Sequence, residues 1–169
     1  MVAGKTPKEK VAQVQAVAAN SFAMPKIKRT FNAEDKEEFI AQAFQEIQDY
    51  FIEGLQFLES QNTALDTNLE VTGDQNFACR AAVQGVQKAF CRVYKGSIFG
   101  MGAPQILLSF QEGGAAQTVN EYMSIENDGY NLYLAPSSPF DVDGKQIKQA
   151  TVQEAGLYLW GVFTTQLEA

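Results

Sequence analysis

No histidine occurs among the 169 residues. Its absence removes the commonest general base, the commonest metal ligand and the usual partner of a nucleophilic serine or cysteine. Cysteine is nearly as scarce, with Cys79 and Cys91 alone, so a zinc site built from this chain is excluded in practice. No apolar run approaches the ~18 residues that would span a bilayer, and no low-complexity tract interrupts the chain. Lys5, Lys8 and Lys10 precede a Val/Ala-rich stretch, but Gln13 and Gln15 break it, which argues against a signal peptide. These gaps lead us to expect a single soluble domain, cytoplasmic, needing no cofactor, disulfide or membrane, and not an enzyme.

What the chain has is an uneven charge. The net charge is -7, yet residues 1–29 hold six of the thirteen basic residues (Lys5, Lys8, Lys10, Lys26, Lys28, Arg29) and only Glu9 among the acids. The remainder is strongly acidic, so nucleic acid is not an expected partner. A basic arm and an acidic body attract, within one chain or between two copies, which points to a protein partner or self-association.

Helical signals bracket the sequence. Thr6-Pro7-Lys8-Glu9 opens a capping box, and Val11, Val14 and Ala18 follow at helical spacing, predicting a short helix over about 7–20. Met24-Pro25 ends it. Asn32 caps a longer helix over about 33–60, whose Ile40, Phe44, Ile47, Phe51, Leu55 and Leu58 form one apolar stripe, with Lys36 the single cation among eight acids on the other side. Thr151-Val152-Gln153-Glu154 is another capping box, and Val152, Ala155, Leu159, Val162 and Phe163 face inward from the C-terminal helix it starts. The chain thus divides into a basic arm, 1–29, and one domain, 30–169.

Between the helices the period falls to two. Phe77, Cys79 and Ala81 alternate with polar or small residues, as do Ala89, Cys91 and Val93. A three-residue loop, Val83-Gln84-Gly85, would keep these odd-numbered residues on one face. Both cysteines then point into the core as reduced thiols, though as cross-strand neighbours they could also pair. Asp128-Gly129 suggests a two-residue turn pairing Ile125 with Leu132 and Met123 with Leu134. Residues 105–110 make another strand. The expected fold is α+β, with the N-terminal helices and the C-terminal helix packed on a mainly antiparallel sheet of about five strands.

Motifs of known chemistry are weak. Gly96, Gly100 and Gly102 resemble a phosphate loop, but Pro104 and a strand follow where a helix is needed. Asp141-Val142-Asp143-Gly144 starts like a calcium loop but lacks the later ligands and reads as a turn. Two features remain. Glu121 shares the parity of Met123 and Ile125, so its carboxylate points to the core side near a strand start. The opposite sheet face carries Arg80, Lys88, Phe90, Arg92, Tyr94, Tyr122 and Tyr133, a mixture of aromatic and cationic groups suited to stacking and to binding anions. The binding candidates are therefore Arg80, Arg92, Tyr94, Glu121, Tyr122 and Tyr133.

The stretch from Asn120 to Tyr130, with Leu132-Tyr133-Leu134 and Glu154-Ala155-Gly156-Leu157-Tyr158-Leu159-Trp160, resembles the C-terminal half of an uncharacterised bacterial domain found alone or beside TIR domains. That resemblance implies a bacterial, cytoplasmic, non-catalytic accessory or sensing role. It supplies no catalytic residue. The expected function is a non-enzymatic binding or protein-interaction module, with a small-molecule sensor using the aromatic and basic sheet face as the alternative.

Overall fold

The structure is a computed structural model that describes residues 23–98, 100, 102–112 and 118–168. The helix expected over 7–20 lies outside the described residues. The long helix, α1, spans Ala33–Gln61. Asn32 caps it as expected, its side chain accepting from the Asp35 amide at 2.8 Å while the Asp35 carboxylate accepts from the Asn32 amide at 3.0 Å. Six strands follow, β1 (Leu65–Thr72), β2 (Asn76–Val83), β3 (Val86–Gly96), β4 (Gln105–Ser109), β5 (Glu121–Asn127) and β6 (Leu132–Pro136). Two short strands, β7 (Phe140–Val142) and β8 (Lys145–Ile147), lead to the C-terminal helix α2 (Val152–Thr165), opened by the Thr151/Glu154 capping box.

The six strands lie in chain order, each antiparallel to the next, and β7 and β8 form a separate ribbon. The architecture is α+β, with six strands in the main sheet where about five were expected. The strand added is β1, whose alternation is faint because it is an edge with few buried positions. Asp143 and Gly144, both at positive φ, make the β7–β8 turn. That is the conformation an Asp-Gly pair supplies cheaply.

Both helices cover one face. The α1 stripe from Ile40 to Leu55 and Ala155, Leu159 and Phe163 of α2 enclose Phe77, Cys79, Cys91, Val93, Leu108, Met123 and Leu134. Phe51 sits at the centre, its ring 5.3 Å from those of Phe77 and Trp160. The helices run side by side, with Gly156 against Tyr50 and Gly54 against Trp160. A Cβ on Gly54 would stand 2.7 Å from the indole.

Both hairpins differ from the sequence-based register by two residues while keeping the same faces. The β2–β3 connection is the two-residue turn Gln84-Gly85, both at positive φ, and a bulge follows it. Ala82 pairs Gln87 and Ala81 pairs Ala89, leaving Lys88 as the extra residue. The bulge does the work assigned to a longer loop, since one added residue restores the parity that a two-residue turn would mix. Cys79 consequently faces Cys91, both fully buried and both free thiols. In the β5–β6 hairpin the loop is Asp128–Asn131, with Asp128 Oδ1 accepting from the Tyr130 and Asn131 amides. Ile125 therefore pairs Leu134 and Met123 pairs Pro136. Two side-chain acceptor bonds within the loop outweighed the shorter Asp-Gly turn.

Candidate functional site

The second face of the sheet carries neither described helix. Strand pairing puts Asn76, Tyr94, Leu107 and Tyr122 in one row across β2 to β5, and Ala78, Arg92 and Ser109 in the next. Neighbours in a row stand about 4.8 Å apart, the spacing between strands. Leu107 is buried between the flanking tyrosines, whereas Tyr122 at the end of the row is 37% exposed. Burial raises the Tyr94 phenol above its ordinary range, and the Arg92 charge opposes this. Tyr94, Arg92 and Tyr122 thus form one contiguous patch around an apolar centre.

The other three candidates stand apart from it. Arg80 opposes Phe90, and its guanidinium lies 5.0 Å from that ring. The same group is occupied by acids, with Nε 2.9 Å from Glu112 Oε1 and Nη1 3.7 Å from Glu70 Oε2. Glu112 also accepts from Gln87 Nε2 at 3.1 Å, and these hydrogen bonds, Gln87 first and Arg80 second, lower its pKa. The chain leaving β4 thereby reaches back to Arg80 and Gln87 on this side, near Phe90, which is 4% exposed. Nothing in the alternation of β2 and β3 could reveal these contacts, because Glu112 lies outside any strand.

Tyr133 pairs Glu126, four residues along β5 from Tyr122, so it sits about 14 Å from the patch. Its hydroxyl donates to Glu126 Oε2 at 3.2 Å and accepts from Gln149 Nε2 at 3.4 Å. Desolvation and the Glu126 carboxylate both raise its pKa. Glu121 occupies the helix-side face, at the rim as its parity suggested. Ser137 Oγ donates to it at 3.2 Å, and its other neighbour is the Tyr158 hydroxyl. Burial first, then the Glu121 charge and hydrogen bond, push that phenol up to about 12. Glu121 is partnered and on the wrong side to join the aromatic patch.

Among the described residues, Arg92 has no acidic partner within salt-bridge distance. No group of three or more acidic or cysteine side chains converges there to hold a metal ion, and no helix is long and apolar enough to cross a membrane. Concavities of about 330 and 450 Å³ lie elsewhere, the first where α1 and α2 end and the second between α2 and the β7–β8 ribbon.

A family model described as the Y4lF protein domain matches residues 66–165. The chain belongs to the Y4lF domain family. The match begins inside β1 and ends at the last turn of α2, so the Y4lF domain takes in all of the six-stranded sheet but Leu65, and the C-terminal helix, well beyond the stretches between Asn120 and Trp160 that carried the sequence resemblance. α1 precedes the matched region, although its apolar stripe completes the core. No curated protein and no solved structure matches the chain.

Proposed function

We propose that this chain is a non-enzymatic binding module that takes an acidic, partly apolar segment of a protein partner on the sheet face opposite its helices. The observation that carries this reading is Arg92. It is a half-buried cation with no carboxylate within salt-bridge distance among the described residues, the charge of Glu112 being felt only from farther off, and it is set beside Tyr94, Leu107 and Tyr122. A half-buried guanidinium next to aromatic side chains favours a carboxylate flanked by apolar or aromatic groups. Arg80, already held by Glu70 and Glu112, supports the face rather than the ligand. An accessory role of the kind implied by domains that stand beside TIR domains accords with a module that binds and does no chemistry, in a bacterial cytoplasm.

The test is an array of short acidic peptides differing in aromatic content, followed by calorimetry on those retained. Arg92→Glu should abolish binding, and Tyr122→Ala should weaken it. Each should shift stability by less than about 1.5 kcal/mol, because neither opens a core cavity. Retention of no acidic peptide by the wild type, or unchanged affinity in Arg92→Glu, would remove this reading. A small-molecule sensor is the second reading. The concavity of about 450 Å³ beside Phe140 and Tyr158 is its natural site, but it shares no residue with the aromatic and basic face.

A further inference from the structure

The concavity of about 450 Å³ between α2 and the β7–β8 ribbon is apolar in its walls. Phe140 and Tyr158 line it as a stacked pair, their rings 4.2 Å apart and 14° from parallel. Val142 and Leu157 extend the apolar lining, and Leu157 is 44% exposed. The Tyr158 hydroxyl is committed to Glu121, so this side chain offers the space its ring. Gly161, one helical turn beyond Leu157, lines the same space and has nothing within 4 Å of where its Cβ would stand. Glycine is among the poorest helix formers, and here the missing side chain leaves room that no described residue fills. A volume of this order falls within the range of small-molecule sites.

The charge lining this space has one sign. Asp141 and Asp143 line its ribbon side, both exposed, and neither forms an ion pair among the described residues. Val162 and Thr165 line the helix side from the last turn of α2, which holds no basic residue, so the partial negative charge of the helix C-terminus meets no cation of its own. Lys145 pairs with Val142 in the ribbon, but it is outside the lining and bridges to neither aspartate. Two carboxylates and a helix C-terminus repel an anion and attract a cation, and aromatic rings beside them favour the same sign.

We propose that this concavity binds a small organic cation, with an aromatic or apolar body lodged against Phe140, Leu157 and the bare Gly161 and an ammonium group held by Asp141 and Asp143. The site is the one named for the small-molecule reading, on which this ligand class rests. It is separate from the sheet face around Arg92, whose charge preference is the opposite.

Amide chemical-shift titrations of the full chain test it with phenethylamine, phenethyl alcohol and phenylacetate, which share one ring and differ in charge. Phenethylamine should shift the Val142, Leu157 and Gly161 amides and bind about fivefold or more tighter than the alcohol, a gain in keeping with two exposed carboxylates. Phenylacetate should bind weakest. Gly161→Leu, whose Cβ meets no described neighbour, should fill the space and abolish the shifts. Asp141→Asn with Asp143→Asn should bring phenethylamine down to the affinity of the alcohol. Asparagine tolerates the positive φ of Asp143, so the ribbon turn survives, and melting temperatures of both variants control for folding. Equal affinity for amine and alcohol, or phenethylamine binding unchanged in the double asparagine variant, overturns the cation assignment and leaves the small-molecule reading standing. No shift with any of the three probes, or shifts that survive Gly161→Leu, overturns both.

Discussion

At the scale of single residues, two glycines in neighbouring helices have opposite meanings. Gly54 is where α1 and α2 come closest, and any side chain there meets the Trp160 indole. Gly54→Ala should therefore lower stability by about 1–3 kcal/mol despite the better helix propensity of alanine. Gly161→Ala meets nothing within the described chain and should raise stability by about 0.5–1 kcal/mol. Chemical denaturation of the two variants in parallel checks both signs. Tyr158 supplies a pH dependence. Its folded-state pKa of about 12 stands above the phenol's usual ~10, so the fold favours the neutral form. The associated stability is complete below pH ~10, and is lost as pH rises toward the folded value. Tyr158→Phe, which cannot ionise, should flatten the alkaline limb of a melting-temperature profile between those limits.

At the scale of elements, Gln166 closes a gap that the sheet leaves open. β4 pairs β3 only from Arg92 onward, so the preceding part of β3 has no partner strand on that side. Just beyond α2, the Gln166 side chain fills one such position, its Oε1 accepting from the Phe90 amide at 3.2 Å and its Nε2 donating to the Phe90 carbonyl at 3.0 Å. Gln166→Ala should cost about 1–3 kcal/mol by leaving half-buried backbone groups unpaired, and hydrogen exchange at the Phe90 amide should accelerate. The two described helices were legible in the sequence because caps and apolar stripes are local signals, as Asn32 and Thr151 show. Which side of β2, β3, β5 and β6 faces the core was also legible, since parity survives any shift of register by two. Registers were not, because the bulge at Lys88 and the Asp128 side-chain bonds are decided by competition among turns of similar energy. Glu112 and Gln166 were invisible for another reason: each acts on residues distant in sequence through a contact that no periodicity encodes.

At the scale of the molecule, a meander with both helices on one side leaves its two faces with different tasks. The helix side is a continuous core from Ile40 to Phe163. The other side mixes buried Leu107 and Phe90 with half-exposed Arg92 and Tyr94, a composition that suits contact with a partner. The candidate residues fell partly on this side because alternation assigns faces, but it assigns no position along them, which is why Tyr133 lies far from Tyr122 and Arg80 is engaged by Glu112. The packing of Trp160 against Gly54 has a consequence for synthesis. α1 leaves the ribosome before the sheet and α2 after it, so the nascent sheet waits with Met123 and Leu134 under only one of its two covering helices. Because each strand pairs only with its chain neighbours, the meander can zip up as it emerges, yet its apolar face stays incompletely covered until residues 152–165 arrive. Truncation within α2 should therefore release a chain that has most of its hydrogen-bonded sheet and a sticky surface, a product destined for chaperones and proteases more than for a smaller folded domain.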